Sequence, residues 1–145
     1  MSAGGSVVLL DSSVLVAALV EDEAHHEASL RLLARKSACI WSHALAETFA
    51  TLTGGKLGLR VPPALAAELI QQSLAPRLKP IDLSTRELLS ALGKTATAGV
   101  RGGALYDFLH LAAAQKAKAG VLYTLNVRHF TALSRPGALS IELPP

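Results

Sequence analysis

Three acidic residues stand in apolar surroundings, where an ionised side chain is costly. Asp11 ends the apolar run 7–10, Glu47 interrupts a stretch rich in alanine and leucine, and Asp107 lies within the apolar segment 105–109. No basic residue adjoins any of the three. Moving an ionised carboxylate out of water costs several kcal/mol unless a partner compensates it, and hard oxygen ligands suit Mg²⁺ or Mn²⁺. We therefore predict that the three acids converge on a divalent metal ion. The alternative is three independently solvated or capping acids.

The elements that must position these acids follow from the apolar pattern. Short β-branched and apolar runs predict strands, and longer stretches bounded by capping residues, glycine or proline predict helices. The predicted strands are 7–10, 38–41, 78–83, 121–125 and 139–143. The predicted helices are 14–20, 25–35, 43–53, 62–74, 84–94 and 105–119, with a helical turn at 129–133 and a small-residue loop at 95–103.

Several residues are predicted to mark where these elements begin or lie. Ser12 or Ser13 is expected to cap the first helix and Ser42 the third. Ser84 and the residues after it have the capping-box pattern. Pro80 places the third strand near an edge of the sheet, because proline cannot donate to a neighbouring strand.

Strands that alternate with helices predict an α/β fold with a parallel sheet and helices on both faces. In such sheets ligands gather at the carboxyl ends of the strands. Asp11 and Asn126 each follow a predicted strand. Glu47 lies in the helix after the second strand, and Asp107 lies in the first turn of the helix before the fourth. All four are therefore expected at one edge of the sheet.

Composition bounds the class of protein. The 145 residues suit one domain, 1–145, and half of them are hydrophobic against 17% charged, which predicts a packed core. No run approaches the roughly twenty apolar residues of a membrane span, and the first residues lack the basic region of a signal peptide. A cytoplasmic protein with no membrane partner is expected. The net charge of +3, without a dense basic run, is compatible with a nucleic-acid partner but does not require one.

Four segments resemble the PIN-domain family of metal-dependent ribonucleases, especially the bacterial VapC-type toxins. They are VLLDSSVL at 8–15, AETF at 46–49 followed by LT, LYDFLHLA at 105–112 and LYTLNVRHF at 122–130. Their order and spacing cover almost the whole chain. The resemblance implies a PIN-like three-layer α/β/α fold, in which a short, mostly parallel central sheet is flanked by helices.

The resemblance also implies roles for individual residues. Asp11, Glu47 and Asp107 would be the catalytic and metal-binding acids, and Ser12 the hydroxyl residue that supports the first of them. Asn126 stands at the family's fourth acidic position, where an amide binds metal more weakly, so one metal ion is better supported than two. His110, one helical turn from Asp107, is expected in a supporting role. Basic residues would guide an RNA strand to the site; the candidates are Arg101, Lys56, Arg60 and Arg128.

The function implied is a Mg²⁺-dependent endoribonuclease, with Mn²⁺ as the alternative ion, acting as the toxin of a VapBC-type toxin–antitoxin system. It would hydrolyse RNA phosphodiester bonds with a metal-activated water. A homodimer and a cognate antitoxin, which would insert an arginine opposite the acids, are implied by the resemblance alone.

Two alternatives stay open. Another Mg²⁺-dependent phosphohydrolase, either a phosphatase with an Asp-x-Asp motif or a receiver with an adjacent acidic pair, would show a motif that this sequence lacks. A non-catalytic PIN-like binding module would be expected to have lost at least one acid.

The other side chains that could take part in chemistry are expected to serve in packing. His43 and His129 have no partner at the spacing of a zinc site. Trp41 and Phe49 are expected in the core.

Overall fold

Five short strands form the central sheet of the computed structural model, which describes residues 6–135 and 137–145. The strands are β1 (Val8–Leu10), β2 (Ala38–Trp41), β3 (Lys79–Ile81), β4 (Val121–Tyr123) and β5 (Ser140–Glu142). Their order is β3-β2-β1-β4-β5, and every neighbouring pair is parallel. The predicted α/β class and strand positions are confirmed, and the sheet is parallel throughout. Pro80 lies in β3, at an edge, as predicted.

Helices connect the strands. They are α1 (Ser12–Leu19), α2 (His26–Leu33), α3 (Ala44–Gly54), α4 (Pro63–Leu69), α5 (Thr85–Gly93), α6 (Thr95–Ala98), α7 (Ala104–Lys116) and α8 (Val127–Leu133). A π-helical turn, Ile70–Leu74, and a 3₁₀ turn, Ala75–Arg77, continue α4. None of the helices in the described part of the chain has the length and apolarity that a membrane crossing requires.

Two apolar cores lie on opposite faces of the sheet, because successive strand residues point to opposite sides. Val8, Leu10 and Ile40 pack into the core with α1 to α4. Leu9 and Leu122 pack into the core with α5, α7 and α8. This arrangement of helices, sheet and helices is the predicted three-layer architecture, and it buries β1 on both faces.

Helix ends show where local chemistry overrides a simple pattern. The first helix is capped by Asp11 itself and not by Ser12 or Ser13. The third begins after His43, which makes no side-chain cap, so Ser42 is not its cap. Gly55 ends α3 in the left-handed conformation, with φ of 78°, which favours glycine. The capping box of Ser84 at the start of α5 is confirmed.

One predicted loop is partly helical. Residues Thr95–Ala98 form the single-turn α6, which ends at Gly99 with φ of 70°. Alternating threonine and alanine give no apolar period, and for that reason the turn was not expected. Alanine nevertheless has the highest helix propensity of any residue, and Thr95 Oγ1 donates to the carbonyl of Leu92, linking α6 to α5.

Candidate active site

Asp11 lies where β1 ends and α1 begins. Its Oδ1 accepts hydrogen bonds from the backbone amides of Ser13, at 3.1 Å, and Val14, at 3.4 Å. The side chain is only 4% exposed. Burial raises the pKa of Asp11, although the charge of His110 and the hydrogen bonds around the carboxyl oppose this effect. The carboxylate is thus held in place, but keeping it ionised without a cation costs free energy.

Two hydroxyls, one two positions from Asp11 in the chain and the other 113 positions away, fix both of its oxygens. Ser13 Oγ donates to Asp11 Oδ1 at 2.5 Å and accepts from the amide of Leu125 at 2.9 Å. The buried Thr124 Oγ1 donates to Asp11 Oδ2 at 2.8 Å and accepts from the amide of Asn126 at 2.9 Å. These bonds tie the turn after β1 to the turn after β4.

Ser13 was named from the sequence only as a possible helix cap, and Thr124 was not singled out. The hydroxyl that supports Asp11 is that of Ser13, rather than that of Ser12 as predicted. Ser12 lies near Glu47 instead, and its hydroxyl makes the smallest contribution to the lowered pKa of that carboxyl. The usable signal for Thr124 was its position, since it is a polar residue directly after a buried strand at the edge where the acids gather.

Glu47 lies in the first turn of α3 and contacts His110, on α7, across the site. Glu47 Oε1 and His110 Nε2 are 2.7 Å apart. Burial alone would raise the pKa of Glu47. The hydrogen bond and charge of His110, followed by the charge of His43, outweigh burial, so the pKa lies below its ordinary value. An ionised carboxylate can only accept, and therefore His110 Nε2 is the donor.

Asp107 lies in the first turn of α7, one turn before His110, and is half-buried. Burial raises its pKa; the positive charge of His110 lowers it and the negative charge of Glu47 raises it again. His110 thus acts electrostatically on Asp11, Glu47 and Asp107 alike. The three acids are grouped around one buried imidazole, and within the described residues none of them pairs with a lysine or arginine.

Asn126 is brought to the same edge through its backbone. It precedes α8, and its backbone amide donates to Thr124 Oγ1. The residue as a whole is exposed. Its side chain makes no capping hydrogen bond to α8. A metal-binding role for the side-chain amide of Asn126 stays a prediction.

The four predicted RNA-contacting cations separate into two pairs. Arg101, shortly before α7, and Arg128, in the first turn of α8, are exposed near the acids' edge of the sheet. Lys56 and Arg60 follow the end of α3, whereas Glu47 lies in its first turn. The stretch of helix from Glu47 to Gly54, where α3 ends, spans roughly 10 Å. Arg101 and Arg128 thus lie closer along the chain to the site residues than Lys56 and Arg60 do, and RNA contact stays a prediction for all four.

The donor types of the three acids fit a hard divalent cation, because Mg²⁺ and Mn²⁺ take a few carboxylates and complete their shell with water. Across residues 6–135 and 137–145, no three His, Cys, Asp or Glu side chains converge closely enough to form a ready metal cage. Glu47 directs one oxygen to His110, and both oxygens of Asp11 accept hydrogen bonds. Convergence of the acids on an ion stays a prediction.

Comparison with known proteins places this arrangement in a family. The family model described as PIN domain matches residues 8–135. Ribonuclease VapC27 of Mycobacterium tuberculosis is 34% identical over 110 residues, which cover 76% of this chain and 78% of that protein.

Solved structures share the fold at low sequence identity. VapC20 of Mycobacterium tuberculosis, described as a sarcin-ricin loop cleaving toxin, superposes with a TM-score of 0.68 at 19% identity and covers 95% of this chain and 99% of its own. VapBC2 of Rickettsia felis, bound to a DNA fragment from its promoter, gives 0.66 at 22% identity, with coverages of 94% and 98%. These likenesses confirm the PIN-like α/β/α fold. Since the family model spans Asp11, Glu47 and Asp107 and a 34% identical relative spans three quarters of the chain, this protein belongs to the PIN-domain family, among its VapC-type ribonuclease toxins.

Proposed function

We propose that this protein is a metal-dependent endoribonuclease whose site is formed by Asp11, Glu47 and Asp107. The observation that carries the proposal is the grouping of these acids around His110 at the carboxyl edge of a parallel sheet, without a lysine or arginine ion pair in the described residues. Acids so arranged are suited to a divalent cation. The family of the chain supports the same reaction class.

A bound Mg²⁺ or Mn²⁺ would lower the pKa of a water and offset the charge that develops on the phosphate. Asp11 would hold the ion from a fixed position, because two hydroxyls and two amides orient its oxygens. Glu47 and Asp107 would complete the acidic donors, with Asn126 as a weaker fourth. Arg101 and Arg128 would bind backbone phosphates approaching this edge.

The partners we propose are an RNA substrate and a cognate antitoxin. The related structures include VapBC2 of Rickettsia felis and FitAB, each bound to DNA. An antitoxin segment that places an arginine opposite the acids would neutralise them and block the strand. The neighbouring gene should then encode a small protein with a DNA-binding half. A homodimer and a cytoplasmic location stay predictions of the same proposal.

The decisive experiment is cleavage of total RNA by the purified chain with Mg²⁺, with Mn²⁺ and with EDTA. We expect cleavage only with metal, and its loss in Asp11→Ala and Asp107→Asn. Asp22→Asn, at an exposed acid in the turn after α1, is the matched control and should cleave normally. Cleavage that survives EDTA, or that persists in both site variants, would sink the metal mechanism. RNA binding without cleavage under any metal would favour the non-catalytic module.

A further inference from the structure

Three aromatic rings stack beside the acids. The rings of His43 and Tyr106 are nearly parallel, with centroids 5.6 Å apart and an interplanar angle of 14°. The rings of His43 and Trp41 lie 4.6 Å apart at 33°. The three residues come from different elements, because Trp41 ends β2, His43 precedes α3 and Tyr106 lies in the first turn of α7. We call these three rings the aromatic stack.

Exposure increases along the aromatic stack. Trp41 is 6% exposed, His43 is half-buried and Tyr106 is 47% exposed. A tyrosine whose role is packing buries its ring and leaves its hydroxyl at the surface or hydrogen-bonded. Here nearly half of a large side chain faces solvent at the outer end of the stack, so a planar group from outside can add to it.

The aromatic stack is joined to the acids through His43 and Trp41. His43 lies one helical turn before Glu47, whose backbone amide donates to the carbonyl of His43 at 3.1 Å. At its buried end Trp41 meets the ring of His110 edge-on, with centroids 5.0 Å apart. That imidazole is the one hydrogen-bonded to Glu47. A group stacked on Tyr106 is therefore positioned next to the reacting centre.

We infer that Tyr106 is a positioning residue that stacks an unpaired nucleobase next to the scissile phosphate. This inference rests on the proposed ribonuclease function and adds to it a residue that orients the substrate. Bases that are splayed out of a helix stack on aromatic side chains, whereas bases within a duplex are already stacked on both faces. Stacking tolerates any base, because every base has a π-face.

A stacking role for Tyr106 predicts which substitutions at this position raise KM. Aromatic stacking contributes about 1–3 kcal/mol per base, so Tyr106→Leu should raise KM for a short single-stranded RNA about tenfold and change kcat little. Tyr106→Phe and Tyr106→Trp keep a ring and should keep KM near the original value. Leu89→Ala removes a side chain that is 62% exposed on α5 and serves as the control for loss of exposed apolar surface.

Direct binding separates stacking from catalysis. RNA carrying 2-aminopurine loses fluorescence when that base stacks, and we expect quenching by Asp11→Asn protein with Mg²⁺ but much less by Asp11→Asn/Tyr106→Leu. The same RNA annealed to its complement should bind and be cut more weakly. Equal cleavage of duplex and single strand would overturn the inference. So would an unchanged KM in Tyr106→Leu, or an equal KM increase in Tyr106→Phe, which would assign the effect to the hydroxyl.

These outcomes are distinguishable from failure of the proposed function. Cleavage by the unmodified chain that is lost in Asp107→Asn but unaffected by Tyr106→Leu keeps the nuclease and rejects the stacking role. No metal-dependent cleavage by the unmodified chain rejects the nuclease itself. If Tyr106→Leu weakens binding of the antitoxin alone, the ring belongs to a protein interface and the stacking role is rejected.

Discussion

The hydroxyl of Thr124 connects Asp11 to the backbone of Asn126, donating to the carboxylate at 2.8 Å and accepting from the amide at 2.9 Å. The bond to Asp11 spans 113 positions of the chain. It sets the relative position of the turns after β1 and β4, which carry Asp11 and Asn126.

Replacing Thr124 by valine should therefore affect both stability and activity. The substitution keeps the shape but leaves a buried carboxylate oxygen without its donor, and we expect a loss of about 1–2 kcal/mol in the free energy of unfolding. Urea denaturation measures this loss, and kcat/KM should fall with it. Thr124→Ser keeps the hydroxyl and is the control. Equal stability of the two variants would contradict a role for this bond.

Asp11→Asn should become more favourable to the stability of the metal-free protein as the pH rises, although it removes the activity. Burial raises the pKa of Asp11 above the unfolded value of 3.8, so the ionised form opposes folding. Asparagine keeps the helix cap, but its amide nitrogen cannot accept the hydrogen bond of Thr124 Oγ1, which offsets part of the gain.

The pH dependence of this effect has a definite sign. A raised folded pKa gives stability that is fully present below the unfolded pKa and is lost as the pH rises through the folded value. The stability of Asp11→Asn relative to the unmodified protein should thus be constant below pH 3.8, rise with pH, and level off above the raised pKa. Urea unfolding across this range measures it, with Asp22→Asn as the exposed control. A constant difference at all pH values would refute the explanation.

His110→Leu should raise the pKa of Glu47. Apart from burial, which acts in the opposite direction, the hydrogen bond and charge of His110 are the largest causes of the lowered pKa. The side-chain carboxyl resonance of Glu47 followed by NMR during an acid titration gives the value directly. His129→Leu is the control, because His129 acts on Asp107 instead. An unmoved Glu47 titration in His110→Leu would show that the 2.7 Å contact does not set its ionisation.

Asn126→Asp should tighten Mn²⁺ binding about tenfold, since a carboxylate replaces a neutral amide beside the other acids. Calorimetric titration of the metal-free protein measures the affinity. Thr131→Asp adds the same charge at an exposed position further along α8 and should change the affinity little. Unchanged affinity in Asn126→Asp would place that side chain away from the ion.

The sheet and most of the helices were predictable, because apolar runs and their terminators are local features. The strand Ala38–Trp41 was placed with its observed bounds, and β1 and β4 were placed within a residue or two. Helix caps were less predictable. Asp11 competes with Ser12 and Ser13 for the same role, and only the buried geometry at the end of β1 decides between them.

The candidate site was predictable in its acids but not in the contacts that organise them. Asp11, Glu47 and Asp107 stood out because each is an acid in an apolar setting. The bond between Glu47 and His110 joins positions 63 residues apart, and no local pattern encodes such a pairing. The aromatic stack was missed for the same reason, since its rings belong to three different elements.

The double duty of Asp11, as the cap of α1 and as the first acid, has a consequence for how such a chain changes over generations. A single base change converts an aspartate codon into an asparagine codon, and asparagine keeps the cap. A lineage under pressure to silence a harmful nuclease therefore has a one-step route to an inert protein that still folds. Alanine or valine, each also one base away, would silence the site but give up the hydrogen bonds that begin α1.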